Sequence, residues 1–189
     1  KTLFPYTTLF RSQMTVREVY AAAQRYRVSG EGYAPEGAFF GEAADALPPD
    51  ALPAPLKELC LTSILCNNAS LRQSEDPQLW QIVGDPTEGA LLTLAEKAGY
   101  SHEEEAAALR RIMELPFDAE RKRMTVVVRD AQGRETVHTK GSLDVLLPLC
   151  TQLRTPDGVR PLANADRERV QKECDRMSRA ALRVLALAR

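Results

Sequence analysis

The stretch MTVVVRDAQGRETVHTKG, residues 124–141, reads as a β-hairpin. Met124–Arg129 and Glu135–Thr139 form its arms, and Asp130-Ala131-Gln132-Gly133 is a four-residue turn that ends in glycine. In such a hairpin the start of one strand lies beside the end of the other. Lys122, just before the first arm, and Lys140, just after the second, therefore fall near one another. Phe117, behind Pro116, comes close to the same end.

Working outward, the remaining pattern alternates hairpins with helices. Met14–Ala22 and Arg25–Val28 read as strands, and Glu31–Pro55 as a Gly-, Ala- and Pro-rich loop with a short strand near Phe39-Phe40. Leu56–Ala69 reads as a helix with Leu59, Cys60, Ile64, Leu65 and Cys66 inward. Gln78–Val83 is a short strand leading into a helix over 86–98, whose Ala90, Leu91, Leu94, Ala95 and Ala98 recur at helical spacing. Ser101 caps a helix predicted over Glu103–Met113, with three glutamates in its first turn. After the hairpin come a helix over Leu143–Cys150, a Pro-Asp-Gly turn at 156–158, a long helix over Asp166–Ala181 and an apolar strand within Leu182–Ala188. No regular βαβ alternation is present. The expected fold is α+β, an antiparallel β-sheet flanked by helices.

Residues 1–12, KTLFPYTTLFRS, stand apart. Thr2-Leu3-Phe4 nearly repeats as Thr8-Leu9-Phe10, no amphipathic period emerges, and the features of a signal peptide are missing. The segment reads as a non-native artefact of cloning or sequence assembly, and residues 13–189 as the domain proper.

Composition narrows the function. With 44% hydrophobic and 27% charged residues the 189-residue chain is a globular composition with room for one core. A net charge of -1 argues against a nucleic-acid module, and the apolar runs are far below membrane-spanning length. The four cysteines, Cys60, Cys66, Cys150 and Cys174, form no C-x-x-C pair and have only His102 and His138 for company, which argues against zinc. They read as reduced cysteines of a cytosolic compartment.

No phosphate-cradling glycine loop occurs. The helix start GDPTEGALL, residues 84–92, is explained by capping: Asp85 accepts from the free N–H groups, Pro86 suits the first helical position, and Glu88 stands three residues after the cap. Thr87 and Glu88 are the residues that capping leaves least explained. At the hairpin, two ammonium groups in proximity are mildly unfavourable unless an anion shares them, and Gly141 after Lys140 permits close approach to a ligand. An aromatic face, ammonium groups and a carboxylate describe a nucleotide pocket without a phosphate loop. Stacking supplies about 1–3 kcal/mol per base, which predicts weak binding, on the order of 0.1–1 mM.

The segments GDPTEGALL, FDAERKRM, HTKGSLD and LRVLALAR, in this order, together with CNNA at 66–69, resemble the nucleotide-binding domain of P-type cation-transporting ATPases. The likeness is strongest to the type II branch, which holds the calcium pumps, and it runs from about Met14 to Arg189. The resemblance implies that Glu88 hydrogen-bonds the adenine amino group and Phe117 stacks on the base. Lys122 and Lys140 would line the pocket, Gly141 would pack beside the adenosine, Met124 and Leu185 would form apolar walls with Thr87 alongside, and Arg183 would reach the phosphate tail. It further implies an ATP-binding domain of a membrane translocase, on the cytoplasmic face. Its partners would be the phosphorylation, actuator and transmembrane domains of the pump, and Mg2+ would be held with the phosphates mainly by another domain. Catalysis would then be positioning for phosphoryl transfer.

Departures are visible. Lys140-Gly141 continues as Ser142-Leu143-Asp144 where relatives have Ala-Pro-Glu, and Ala119 stands where some carry a polar side chain. Lys1-Thr2 matches only the tail of the Asp-Lys-Thr-Gly-Thr motif, without the phosphorylated aspartate, so this chain by itself is expected to bind ATP without turning it over. Two other readings remain: a stand-alone nucleotide-sensing module, and a protein-interaction domain whose basic cluster at 121–123 is a solvated strand end.

Overall fold

The computed structural model describes residues 13–43, 45–76 and 79–189; the segment 1–12 singled out above and Gln78 of the expected Gln78–Val83 strand lie outside the described residues. The fold is α+β with antiparallel sheets, as the sequence predicts.

Strands β1 (Glu18–Ala21) and β2 (Gln24–Val28) form a hairpin, turned through Ala22 and Ala23 at φ 52° and 63°. With β3 (Phe39–Phe40) and β4 (Ala46–Leu47) they make a four-stranded sheet in the order β1-β2-β3-β4. The expected strand from Met14 is shorter than predicted. Before Glu18 the chain keeps one sheet bond, from Val28 N–H to Arg17 O at 2.8 Å.

Helix α1 (Ala54–Leu65) ends four residues earlier than the predicted Ala69. The cause is Asn67, whose Nδ2 donates to Ser63 O and whose Oδ1 accepts from Ala69 N, so a side chain replaces the next helical turn. The chain then pairs β5 (Ser70–Gln73) with β6 (Trp80–Val83). Helix α2 (Pro86–Lys97) follows, and Asp85 Oδ1 caps it by accepting from Thr87 N at 2.8 Å and Glu88 N at 3.3 Å. Val19, Tyr26, Phe39, Leu56, Ile64 and Leu92 fill the core between the first sheet and these helices.

The third helix corrects the sequence reading. Ser101 caps it as expected, but α3 spans His102–Ala108 and stops short of the predicted Met113. Residues Arg110–Asp118 instead form strand β7, paired with β8 (Arg123–Arg129). Hairpin pairing with β8, which begins at Arg123 directly after the next turn, overrides local helix propensity here.

The hairpin that opened the sequence reading is present as β8 and β9 (Glu135–Gly141). Met124, Val126 and Val128 are buried at alternate positions and meet Leu65 and Cys66 of the α1 end, the two-residue period of a half-buried sheet. Helix α4 (Leu143–Leu149), the hairpin of β10 (Gln152–Thr155) and β11 (Gly158–Pro161), and helix α5 (Asn164–Arg179) follow. Strand β12 (Ala186–Ala188) closes the second large sheet in the order β12-β9-β8-β7. Among the described residues no helix is long and apolar enough to cross a membrane.

Candidate functional site

Sheet register sets out the site. Lys140 on β9 lies between Leu187 of β12 and Met124 of β8. Across from Met124, β7 carries a register shift between Leu115 and Asp118, so Pro116 and Phe117 together oppose the single residue Met124. Phe117 sits at this bulge with 64% of its surface exposed, an aromatic ring presented to solvent.

Lys140 turns inward. Its Nζ donates to Glu88 Oε1 on α2 at 2.5 Å, with the two side chains only 8% and 16% exposed. Glu88 Oε2 accepts from the Asn68 backbone N–H at 3.1 Å. The Glu88 carboxylate thus leaves the capping to Asp85 and bridges helix to sheet. Burial pushes the Asp85 carboxyl up, yet bonds from Thr87 and from the Glu88 N–H hold it below the ordinary carboxylate value. Beneath Lys140, the Cys66 thiol donates to Met124 O, and burial raises its pKa while the Lys140 charge pulls the other way.

Lys122 behaves differently. Its backbone is left-handed at φ 49°, its N–H donates to Asp118 O at 2.7 Å, and its Nζ meets Asp144 Oδ2 at 3.2 Å in an exposed pair. Each lysine therefore has its own carboxylate, and the like-charge argument made from sequence loses its force. Gly141 is required by the hairpin itself. A Cβ there would stand 2.5 Å from Lys122 O and 2.7 Å from Arg123 Cβ. Arg183 Nη1 donates to Thr87 Oγ1 at 3.3 Å, which brings the C-terminal strand region to the α2 N-terminus.

The structure thus joins Glu88 to Lys140, Thr87 to Arg183, and Gly141 to Lys122, sets Met124 beside Lys140, and leaves Phe117 at the exposed bulge. A large cavity of about 1050 Å³ lies elsewhere, between α5 and the body, with Val19, Leu91, Leu146, Val170, Met177 and Leu187 in its walls. Thr87, Arg183 and Leu185 reach it, whereas Glu88, Phe117, Lys122, Met124, Lys140 and Gly141 do not. Its lining is mainly aliphatic, and the carboxylates of Asp166 and Glu173 that reach it are already paired, Asp166 with Arg160 and Arg169 and Glu173 with Arg25 and Arg176, whereas the Glu88–Lys140 pair lies outside it.

Sequence reasoning missed the residues that hold Glu88. Asn67 Nδ2 donates to Glu88 O at 2.9 Å, and Arg111 and Glu114 of β7 brace Asn68. From sequence, the helix Leu56–Ala69 runs through CNNA and Arg111 falls in the helix Glu103–Met113, so neither this turn nor its brace is anticipated.

These elements define an α+β domain of antiparallel sheets flanked by helices, with a hairpin lysine ion-paired to the first turn of one helix. The chain belongs to the P-type ATPases, for residues 55–189 match the family model described as P-type ATPase, cytoplasmic domain N. Among relatives, it is 40% identical to the cation-transporting ATPase pma1 of Synechocystis sp., over 96% of this chain and 20% of that protein. It is 33% identical to a calcium-transporting ATPase of Bacillus subtilis, over 96% of this chain and 20% of the relative. It is also 37% identical to the probable cation-transporting ATPase F of Mycobacterium bovis, over 95% of this chain and 19% of that relative. The chain spans about a fifth of the length of these relatives.

Proposed function

We propose that this N domain binds ATP by its adenosine end and presents the phosphates to a neighbouring domain of a cation pump, calcium being the ion its relatives' names favour. The observation that carries the reading is the Lys140–Glu88 pair, which is largely buried beside Met124, the residue that the Phe117 bulge opposes in the sheet. An ion-paired carboxylate is acceptor-only, so its free lone pairs suit a ligand that donates from an amino group. The exposed Phe117 ring offers a stacking face. Lys122 and Arg183, both exposed, suit an anionic tail; Met124 and Gly141, both buried, and Thr87 and Leu185, which with Arg183 also line the cavity under α5, complete the proposed set. This donor and acceptor inventory fits an adenine nucleotide.

In the pump the chain's own residues would bind and orient, and phosphoryl transfer with Mg2+ would take place at an aspartate in the phosphorylation domain. Actuator and transmembrane domains would complete the machine, with this domain at the cytoplasmic face and residues 13–189 as its working part. ATP titrated into the chain by calorimetry tests the reading. Binding on the order of 0.1–1 mM is expected, weakened at least several-fold by Phe117→Ala and by Lys140→Ala. Unchanged affinity in both variants would overturn it.

A further inference from the structure

We propose that Arg111 is a positioning residue that fixes the Glu88 carboxylate and so sets nucleotide affinity; the inference rests on the nucleotide reading above. Arg111 stands on β7, an edge strand, and its guanidinium closes four bonds. Nη1 donates to Asn68 Oδ1 at 2.6 Å and Glu114 Oε2 at 2.9 Å, and Nη2 donates to Leu65 O at 2.8 Å and Asn67 O at 2.7 Å.

Leu65 is the last residue of α1, where helix carbonyls lack helical partners. The arginine fork therefore satisfies an orphan acceptor and fixes the course of the chain through Asn67 and Asn68. Asn68 is gripped a second time, as its Nδ2 donates to Glu114 Oε1 at 2.7 Å. With that side chain clamped, its backbone N–H is aimed at Glu88 Oε2, 3.1 Å away, which leaves Oε1 to Lys140. The chain of contacts is Arg111 to Asn68 to Glu88 to Lys140. Arg111 itself touches neither Glu88 nor Lys140 by hydrogen bond.

A planar fork is needed for this, and a lysine would keep the charge without the geometry. Arg111→Gln and Arg111→Lys are both expected to shift the Asn68 amide and the Glu88 side-chain carboxyl resonance in the ligand-free chain, and to weaken ATP binding about three- to tenfold. Arg134→Gln, which removes an exposed pair at the far turn of the hairpin, is expected to change neither. If an Arg111 variant fails to fold, Glu114→Gln loosens the same clamp and is expected to move the same two resonances by less. Unmoved Asn68 and Glu88 resonances in the Arg111 variants would overturn the proposal, as would unchanged ATP affinity in them while the parent chain binds. If the parent chain binds no ATP, the nucleotide reading fails by itself, and the ligand-free resonances still decide whether Arg111 positions Glu88.

Discussion

Lys140 Nζ on β9 and Glu88 Oε1 on α2 stand 2.5 Å apart, across 52 residues of chain, with both side chains largely out of water. A strand and a helix are locked by one charge pair, and the exposed aromatic bulge of β7 lies two strands across the same sheet. The pair is a structural bond and, in our account, the floor of a binding site.

The first prediction concerns stability. Removing one partner strands the other charge in a low-dielectric site, so Glu88→Leu or Lys140→Met is expected to cost roughly 3 kcal/mol. The double variant is expected to recover much of that loss, because two apolar side chains leave no unpaired charge. Urea denaturation of the four proteins gives the coupling energy. A coupling near zero would show the pair to be solvated.

A second prediction concerns pH. His138 is 2% exposed, and burial, aided by Arg189, lowers its pKa from 6.5 to about 4. Thr62 Oγ1 donates its hydrogen to Glu58 O, so it accepts from His138 Nδ1–H at 2.9 Å, and Nε2 accepts from Thr136 at 3.1 Å. The folded state thus holds the neutral ring. Its contribution to stability is complete above the unfolded pKa and is lost as pH falls from about 6.5 towards 4, where the unfolded chain binds a proton that the folded chain refuses. Urea midpoints in that window are expected to fall, and His138→Gln to flatten the fall. An equal slope in the variant would assign it to carboxylates instead.

Gly141→Ala tests the hairpin closure. Its Cβ would meet the Lys122 carbonyl at 2.5 Å, and that oxygen is backbone and already accepts from Ser142 N. Overcrowding of this kind costs about 1–3 kcal/mol. Thermal unfolding measures it, and amide shifts are expected at Lys122 and Arg123 first.

Helix α5 is anchored by charge more than by packing. Arg25 and Arg176 both bond Glu173, and Arg176 also pairs with Glu18 on β1, above the large cavity. The Arg25 bonds foremost, then those of Arg176, hold the Glu173 carboxyl down to about 2 against the pull of burial. Salt near 1 M shortens screening to about 3 Å, so α5 amides are expected to exchange faster in salt or in Glu173→Gln, with β8 and β9 unaffected. Uniform acceleration would contradict this.

Legibility in the sequence followed the range of the interactions. The β8–β9 hairpin was readable because its turn and alternation are local, and so was Asp85 as a cap. Strand β7 was the exception: its partner β8 follows it directly, but Arg110–Met113 continues an alanine-rich helix start with no glycine or proline to mark the break. The end of α1 was hidden in one side chain, Asn67. At the site, hairpin register correctly brought Lys140 and Lys122 to one end. Which carboxylate each would take, Glu88 or Asp144, depended on tertiary packing that no spacing reveals. The clamp of Arg111 on Asn68 was invisible for the same reason.

The most direct test of the central claim is amide and methyl shift mapping of the chain during an ATP titration. The account predicts saturable shifts at Glu88, Phe117, Met124, Lys140 and Gly141, with half-saturation on the order of 0.1–1 mM and loss of the response in Phe117→Ala. Shifts confined to the cavity under α5, or none at Phe117 and Lys140, would contradict it.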